Sequence, residues 1–125
     1  LEAGLSWGVA WDKPGGFIGR EALLALQESG ITRRLVQFRV DDSEPLLYHN
    51  EPVYKDGIIV GRITSGMYGH TIGAALGMGY VSHERNIPRN QVLDGSFEIE
   101  INGKRFPATA SFRPFYDPDS NQVHL

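Results

Sequence analysis

The stretch Asp56 to Ser82, DGIIVGRITSGMYGHTIGAALGMGYVS, decides the fold of this chain. It opens on Asp-Gly, a dipeptide typical of tight hairpin turns, because glycine adopts positive φ without steric cost. The following residues alternate as a strand does, with Ile59, Gly61 and Ile63 on one face. The rest is apolar but rich in glycine, which predicts two consecutive strands with glycines at a bulge, a sharp bend or a tight contact within the sheet.

Two functional interpretations of these glycines fail on length and spacing. Gly69, Gly73 and Gly77 match the spacing of membrane helix dimers, but the apolar run from Ile72 to Val81 is far shorter than the roughly 20 residues that a bilayer requires. Neither a dinucleotide fingerprint nor a terminal Gly-Lys-Ser/Thr of a phosphate loop is present. We therefore expect no membrane partner and no nucleotide on this stretch.

The composition of the chain limits the remaining classes of function. The 125 residues, 41% of them hydrophobic, are enough for one core. A net charge of −3 provides no broad cationic field, so we expect no nucleic-acid partner. The absence of cysteine excludes thiol catalysis and is compatible with a reducing compartment, and we expect a cytoplasmic protein. Leu1 is not an initiator methionine and no signal peptide follows it, so we expect a piece of a longer polypeptide.

The flanking sequence predicts one helix and several short strands. Good helix formers run from about Gly19 to Ser29 and end before a glycine. Period-two alternation predicts a strand over Thr32 to Val40, and Pro52 to Lys55 should pair across the Asp-Gly turn. Judged by the same residue patterns, residues 83–95 are predicted to be the longest irregular segment.

A second hairpin completes the predicted fold. Phe97 to Ile101 alternates, Asn102-Gly103 turns the chain, and Lys104 to Phe112 returns. These elements predict a mainly β fold, a small antiparallel barrel or sandwich with about six strands and one N-terminal α-helix at one end. Residues 1–31 would be a linker and helix, and residues 32–125 the barrel domain.

The sequence contains no self-contained catalytic or metal site. Histidines 49, 70, 83 and 124 lack the spacing that places two ligands on one face, so we expect no metal. Ser65 lies outside any nucleophile-elbow pattern. Trp7 and Trp11 are expected to pack against the body of the domain, because large aromatic rings are costly to leave exposed.

Several motifs follow one another in order along nearly the whole chain. They are Glu2-Ala3-Gly4-Leu5-Ser6-Trp7, Trp11-Asp12-Lys13, Phe17-Ile18-Gly19-Arg20-Glu21-Ala22-Leu23, Arg33-Arg34-Leu35-Val36, Glu51-Pro52-Val53, Gly61-Arg62-Ile63-Thr64-Ser65-Gly66, Ile72-Gly73, Gly79-Tyr80-Val81 and Pro114-Phe115-Tyr116. Taken together, these motifs resemble the glycine cleavage T-protein family, the folate-dependent aminomethyltransferases, and the resemblance is specific because the motifs follow the family's order. The resemblance implies a small closed antiparallel β-barrel of Greek-key type, as in the last domain of that family.

The end of the chain resembles one subgroup of that family. Phe115-Tyr116-Asp117-Pro118 is similar to the ending of the T-protein-like modules fused to flavin-dependent sarcosine and dimethylglycine dehydrogenases. Met67-Tyr68-Gly69-His70 stands where ordinary T-proteins have a turn containing Ser-Pro. The resemblance to this subgroup implies that FAD would be a cofactor of a fused domain of the parent protein.

The resemblance also implies a function for the parent protein. That function is transfer of a one-carbon unit from an aminomethyl or iminium donor to tetrahydrofolate, with the main catalytic residues upstream of Leu1, so this chain would not be catalytic alone. The implied partners are upstream folate-binding domains of the same polypeptide, and a lipoyl carrier protein or a fused flavoprotein domain. An alternative function is a non-catalytic barrel that binds RNA or a protein.

Within this chain the resemblance implies one folate contact. The C-terminal tail of relatives approaches the folate, and Tyr116 is the matching residue here. Asp117, Asp119 and Gln122 stand where a basic residue would be expected, so the resemblance gives no carboxylate contact. Tyr116 is therefore the candidate folate-lining residue, with packing against the barrel as the alternative.

Overall fold

A computed structural model describes residues 1–122 of the chain as six strands and three short helical segments. The strands are β1 Arg33–Val40, β2 Pro52–Lys55, β3 Ile58–Gly69, β4 Ala74–Ser82, β5 Phe97–Ile101 and β6 Lys104–Ser111. The helices are a 3₁₀ turn at Ser6–Gly8, α1 at Arg20–Ser29 and α2 at Arg89–Val92.

The six strands close into a barrel in the order β1-β4-β3-β2-β5-β6, and β6 pairs back onto β1. Every pairing is antiparallel. The predicted fold, a closed six-stranded antiparallel barrel with one longer helix before it, is confirmed. Closure leaves no strand with an unpaired edge, which removes the usual route to edge-to-edge aggregation.

Both predicted hairpin turns form for the reason expected. Asp56 and Gly57 have φ of 50° and 83°, and Asn102 and Gly103 have φ of 51° and 75°. Two consecutive positive φ values match the right-handed twist of the flanking strands, and Asp, Asn and Gly tolerate them best.

The core fills the barrel from all six strands. Alternate residues of β1, Val36, Phe38 and Val40, are fully buried. The rings of Phe38 and Phe97 lie 5.6 Å apart at 59°, a tilted arrangement that aromatic pairs favour. Leu47, in the loop between β1 and β2, is only 1% exposed and joins this cluster.

The glycines of β3 and β4 mark tight contacts inside the sheet, as predicted. A Cβ on Gly61 would overlap the carbonyl oxygen of Tyr80, and one on Gly79 would overlap that of Arg62. A Cβ on Gly66 would lie 2.7 Å from the Cβ of Leu47. The register between β3 and β4 shifts between Ile63 and Ser65, so a bulge is also present.

Two expectations are wrong. Trp7 is 84% exposed instead of packed, because it lies on the 3₁₀ turn before α1, away from the barrel core. Trp11 is half-buried, and its Nε1 donates to the carbonyl of Ser6 at 3.1 Å, which satisfies its polar atom locally. The segment 83–95 is not wholly irregular, since it contains α2 with Val92 fully buried.

Within residues 1–122, α1 and α2 are both too short and too polar to cross a bilayer. Residues 123–125, which include His124 and the end of the predicted barrel domain, lie outside the described part of the chain.

Candidate functional site

The C-terminal segment that carries Tyr116 lies beside β1 and β6. The guanidinium of Arg39 on β1 lies 5.7 Å from the ring centroid of Phe115, a cation–π distance. Arg39 also donates to Thr109 Oγ1 at 3.3 Å, and Thr109 Oγ1 donates to Asp41 at 2.7 Å. These contacts hold the segment on the outside of the barrel.

Local hydrogen bonds fix the shape of the segment beyond Phe115. Asp117 accepts backbone N–H groups from Asn121 at 2.7 Å and Gln122 at 2.9 Å, and Arg113 donates to the carbonyl of Pro118 at 2.8 Å and to Asp119. Tyr116, between these anchors, is 54% exposed. Tyr116 is not part of the buried core cluster, and its two alternatives, contact with folate and packing, both stay predictions.

A cluster of basic side chains lies at one mouth of the barrel. Arg34 shares the inward face of β1 with Val36, and Lys55 shares the inward face of β2 with Val53, so both project at the barrel end. His83 follows the last residue of β4, and Arg89 begins α2 at the same mouth. The net negative charge of the chain does not predict this basic cluster. Its members are also far apart in the sequence, so no local run of basic residues shows it.

Lys55 ties α2 to the barrel. Its Nζ donates to the carbonyl oxygens of Gln91 at 3.2 Å and Val92 at 3.1 Å, the unsatisfied acceptors of the helix C-terminus. It also lies 5.7 Å from the ring centroid of Phe97. This pairing accounts for Lys55 structurally and leaves the other basic groups of the mouth for a ligand.

The imidazole of His83 lies in surroundings that disfavour its protonated form. Its Nε2 is buried without a hydrogen-bond partner among the described residues, and its backbone N–H donates to the carbonyl of Thr32 at 2.7 Å. Burial, followed by the charges of Lys55 and Arg34, lowers the pKa of His83 below its usual value. Protonation of this imidazole is therefore disfavoured in the folded chain.

We expect His83 to destabilise the fold at acid pH. Because its folded pKa lies below its unfolded value of about 6.5, the unfolded chain takes up the proton first, and stability falls as pH drops from about 6.5 through the folded pKa. Urea unfolding of the chain and of His83→Gln at several pH values measures this effect. The difference in unfolding free energy between the two should change across that interval and stay constant above it; a constant difference throughout would contradict the prediction.

The arrangement offers no catalytic constellation. Among residues 1–122, no three His, Asp or Glu side chains are grouped to hold a metal ion. Ser65 lies on β3 and His49 and His70 in loops, while His124 is outside the described residues. His70 contacts the Tyr68 ring edge-on at 5.2 Å, which is a packing contact. The close contacts of Gly61 and Gly79 with neighbouring strands, and of Gly66 and Gly77 with Leu47, account for the lack of side chains at these positions.

Comparison with known proteins supplies the context that the geometry lacks. The chain is 41% identical over 121 residues to 4-methylaminobutanoate oxidase (formaldehyde-forming) of Paenarthrobacter nicotinovorans, covering 97% of this chain and 14% of that protein. It is 38% identical over 119 residues to a probable aminomethyltransferase of Thermococcus kodakarensis, covering 94% and 28%. It is 39% identical over 116 residues to mitochondrial dimethylglycine dehydrogenase of Mus musculus, covering 91% and 12%.

A solved structure has the same fold. The crystal structure of the glycine cleavage system aminomethyltransferase T from Bartonella henselae superposes with a TM-score of 0.75 at 24% identity, covering 94% of this chain and 32% of that one. This chain therefore spans less than a third of each of these proteins. The family described as the glycine cleavage T-protein C-terminal barrel domain matches residues 33–117, which include all six strands. The chain belongs to the glycine cleavage T-protein C-terminal barrel domain family.

Proposed function

We propose that this chain is the C-terminal barrel of a larger protein that transfers a one-carbon unit from an aminomethyl or iminium donor to tetrahydrofolate. The observation that carries the proposal is the family match over residues 33–117, together with relatives that include both aminomethyltransferases and amine-oxidising enzymes. The first relative is described as formaldehyde-forming, which is one-carbon chemistry at the same oxidation level.

The barrel would support the reaction without performing it. Stabilising an iminium and moving protons at the folate nitrogens require a positioned acid or base. The described residues provide no such constellation, which supports placing the chemistry in upstream domains of the same polypeptide. The barrel's contribution would be a rigid surface against the folate site, since a closed sheet with a filled core deforms little.

The parent's other components follow from the same relatives. We propose that FAD, where the parent contains it, is held by a fused domain, because the amine-oxidising relatives are much longer than this chain. A lipoyl carrier protein would be the partner if the donor is glycine-derived. A cytoplasmic location is part of the same proposal. If the parent protein is purified without bound flavin and is active with a lipoyl-bound donor, the arrangement with a lipoyl carrier protein is the correct one.

The proposal is tested by comparing the parent protein with this chain. Formation of methylene-tetrahydrofolate from tetrahydrofolate and an amine donor is measured for both. The parent should catalyse transfer, and residues 1–125 alone should give no rate above the uncatalysed background. Transfer by the isolated chain would contradict the assignment of the chemistry to upstream domains, and an inactive parent, tested with sarcosine, dimethylglycine and lipoyl-bound donors, would overturn the proposed function.

Tyr116 is expected to contact the folate in the parent. Its half-exposed ring offers a face on which a flat pterin or benzoyl ring can stack, a contact of about 1 kcal/mol. Tyr116→Ala in the parent should raise the KM for tetrahydrofolate by about fivefold and change kcat little. Tyr48→Ala is the matched control, because Tyr48 is 63% exposed in the β1–β2 loop. Equal KM values for the two variants would remove Tyr116 from the folate site.

A further inference from the structure

Two arginines at the barrel mouth carry charges that nothing in the described chain neutralises. Within residues 1–122, Arg34 and Arg89 form no ion pair and donate no side-chain hydrogen bond, whereas Arg33 beside them pairs with Glu2 at 2.6 Å. Buried or half-buried guanidinium groups normally have partners, because an unpaired charge is costly to desolvate. Arg34 is half-buried.

Both arginines line one cleft. It has a volume of about 280 Å³ and lies between the N-terminal segment and the barrel. Besides the two arginines, Phe112 and residues 1–4 and 6 form its walls together with Leu35 and Gln37. Glu2 is the single carboxylate at the cleft, and it is already paired with Arg33. The cleft is therefore net positive in a chain whose total charge is −3.

The two guanidinium groups carry like charges and line the same cleft. Arg89 lies over the Phe112 ring at 4.5 Å from its centroid, a cation–π contact that fixes its planar group. Burial, and then the charge of Arg89, lowers the pKa of Arg34, as expected for like charges at one cleft. An anion between them would relieve this repulsion and supply the missing acceptors.

We propose that this cleft binds a small oxyanion, a carboxylate or phosphate group, between Arg34 and Arg89. The planar fork of each guanidinium donates two parallel N–H groups, which match the paired oxygens of a carboxylate or phosphate. The volume suits a small di-acid. This proposal does not depend on the proposed function, since it is argued from the two arginines and the cleft that they line.

The test is a calorimetric titration of residues 1–125 at low ionic strength, with succinate and, separately, with inorganic phosphate. The closed barrel with its own filled core supports use of the chain as it stands. Succinate binding alone identifies a carboxylate site, and phosphate binding alone a phosphate site. Arg34→Gln and Arg89→Gln should each weaken binding by at least about tenfold, because each removes a charge-assisted pair of hydrogen bonds.

Arg62→Gln is the matched control, because it removes the same charge from the outer side of β3, away from the cleft. Arg89→Gln changes an exposed residue and loses one cation–π contact, so it should lower the thermal unfolding midpoint only slightly and leave the chain folded, and its effect on affinity reports binding. Arg34→Lys keeps the charge without the fork and should also weaken binding. Equal loss in all variants including Arg62→Gln, or no binding of either anion, would overturn the proposal. Failure of the parent protein to bind either anion would also overturn the proposal, because a carboxylate of the parent protein itself would then occupy the cleft.

Discussion

Replacing Gly61 by alanine is expected to lower the free energy of unfolding by about 2 kcal/mol. The added Cβ would overlap the carbonyl oxygen of Tyr80 on the neighbouring strand, and a backbone atom cannot move aside without breaking the ladder between β3 and β4. Overpacking of this kind costs about 3 kcal/mol. Removing glycine from the unfolded chain returns at most about 1 kcal/mol. The steric cost is larger than the gain from the unfolded chain, so a net loss of stability is expected. Urea unfolding monitored by circular dichroism measures this loss.

Gly8→Ala is the control for this prediction. Gly8 has no heavy atom within 4 Å of an ideal Cβ, and its φ is not in the left-handed region. The substitution should change the unfolding free energy by less than about 0.5 kcal/mol. If Gly61→Ala proved as stable as Gly8→Ala, the close approach of β3 and β4 at this position would be wrong.

Local signals were sufficient to predict most of the barrel. Asp56-Gly57 and Asn102-Gly103 specify their turns through positive φ, and the alternation of β1 and β5 specifies which faces are buried. These features depend on residues close in sequence. Strand number and hairpin spacing left a barrel or a sandwich open, the family resemblance implied closure, and the pairing of β6 with β1 confirms the closed barrel.

Alternation failed where the backbone is irregular. Alternation predicts Ile59 and Ile63 on the same face, yet Ile59 is 59% exposed and Ile63 1%. The pairing of β2 with β3 shifts between Val53 and Tyr54, so an extra residue enters β3 near Val60. One extra residue moves the following side chains to the opposite face, and nothing in the local sequence shows where it lies.

The two candidate sites also differ in whether the sequence alone could reveal them. Tyr116 was found from an ordered motif, because a family resemblance is a property of the sequence. The basic cleft was missed because Arg34 and Arg89 belong to a strand and a short helix that only the closed barrel brings together. A signal was available in part, since an arginine on the inward face of β1 breaks the apolar pattern set by Val36 and Phe38.

The loop between β1 and β2 contains a core residue that its polar sequence conceals. Leu47 lies between Pro45 and Pro52, in a segment with many polar residues, and yet it is 1% exposed. An added Cβ on Gly66 or Gly77 would lie 2.7 Å or 3.1 Å from its side chain, so both glycines make room for it. The leucine closes the barrel at the end opposite α2, and the glycines opposite it are small for that reason.

Leu47→Ala is therefore expected to lower the free energy of unfolding by about 3 kcal/mol. Truncation loses the buried methyl groups and leaves a cavity that the neighbouring glycines have no side chains to fill. Leu46→Ala is the matched control, since Leu46 is the preceding residue, has the same side chain and is 47% exposed, and it should cost less than about 1 kcal/mol. Chemical denaturation of the three proteins under one set of conditions measures both values. Similar losses for Leu46→Ala and Leu47→Ala would mean that the loop does not insert into the barrel, and that Gly66 and Gly77 are small for another reason.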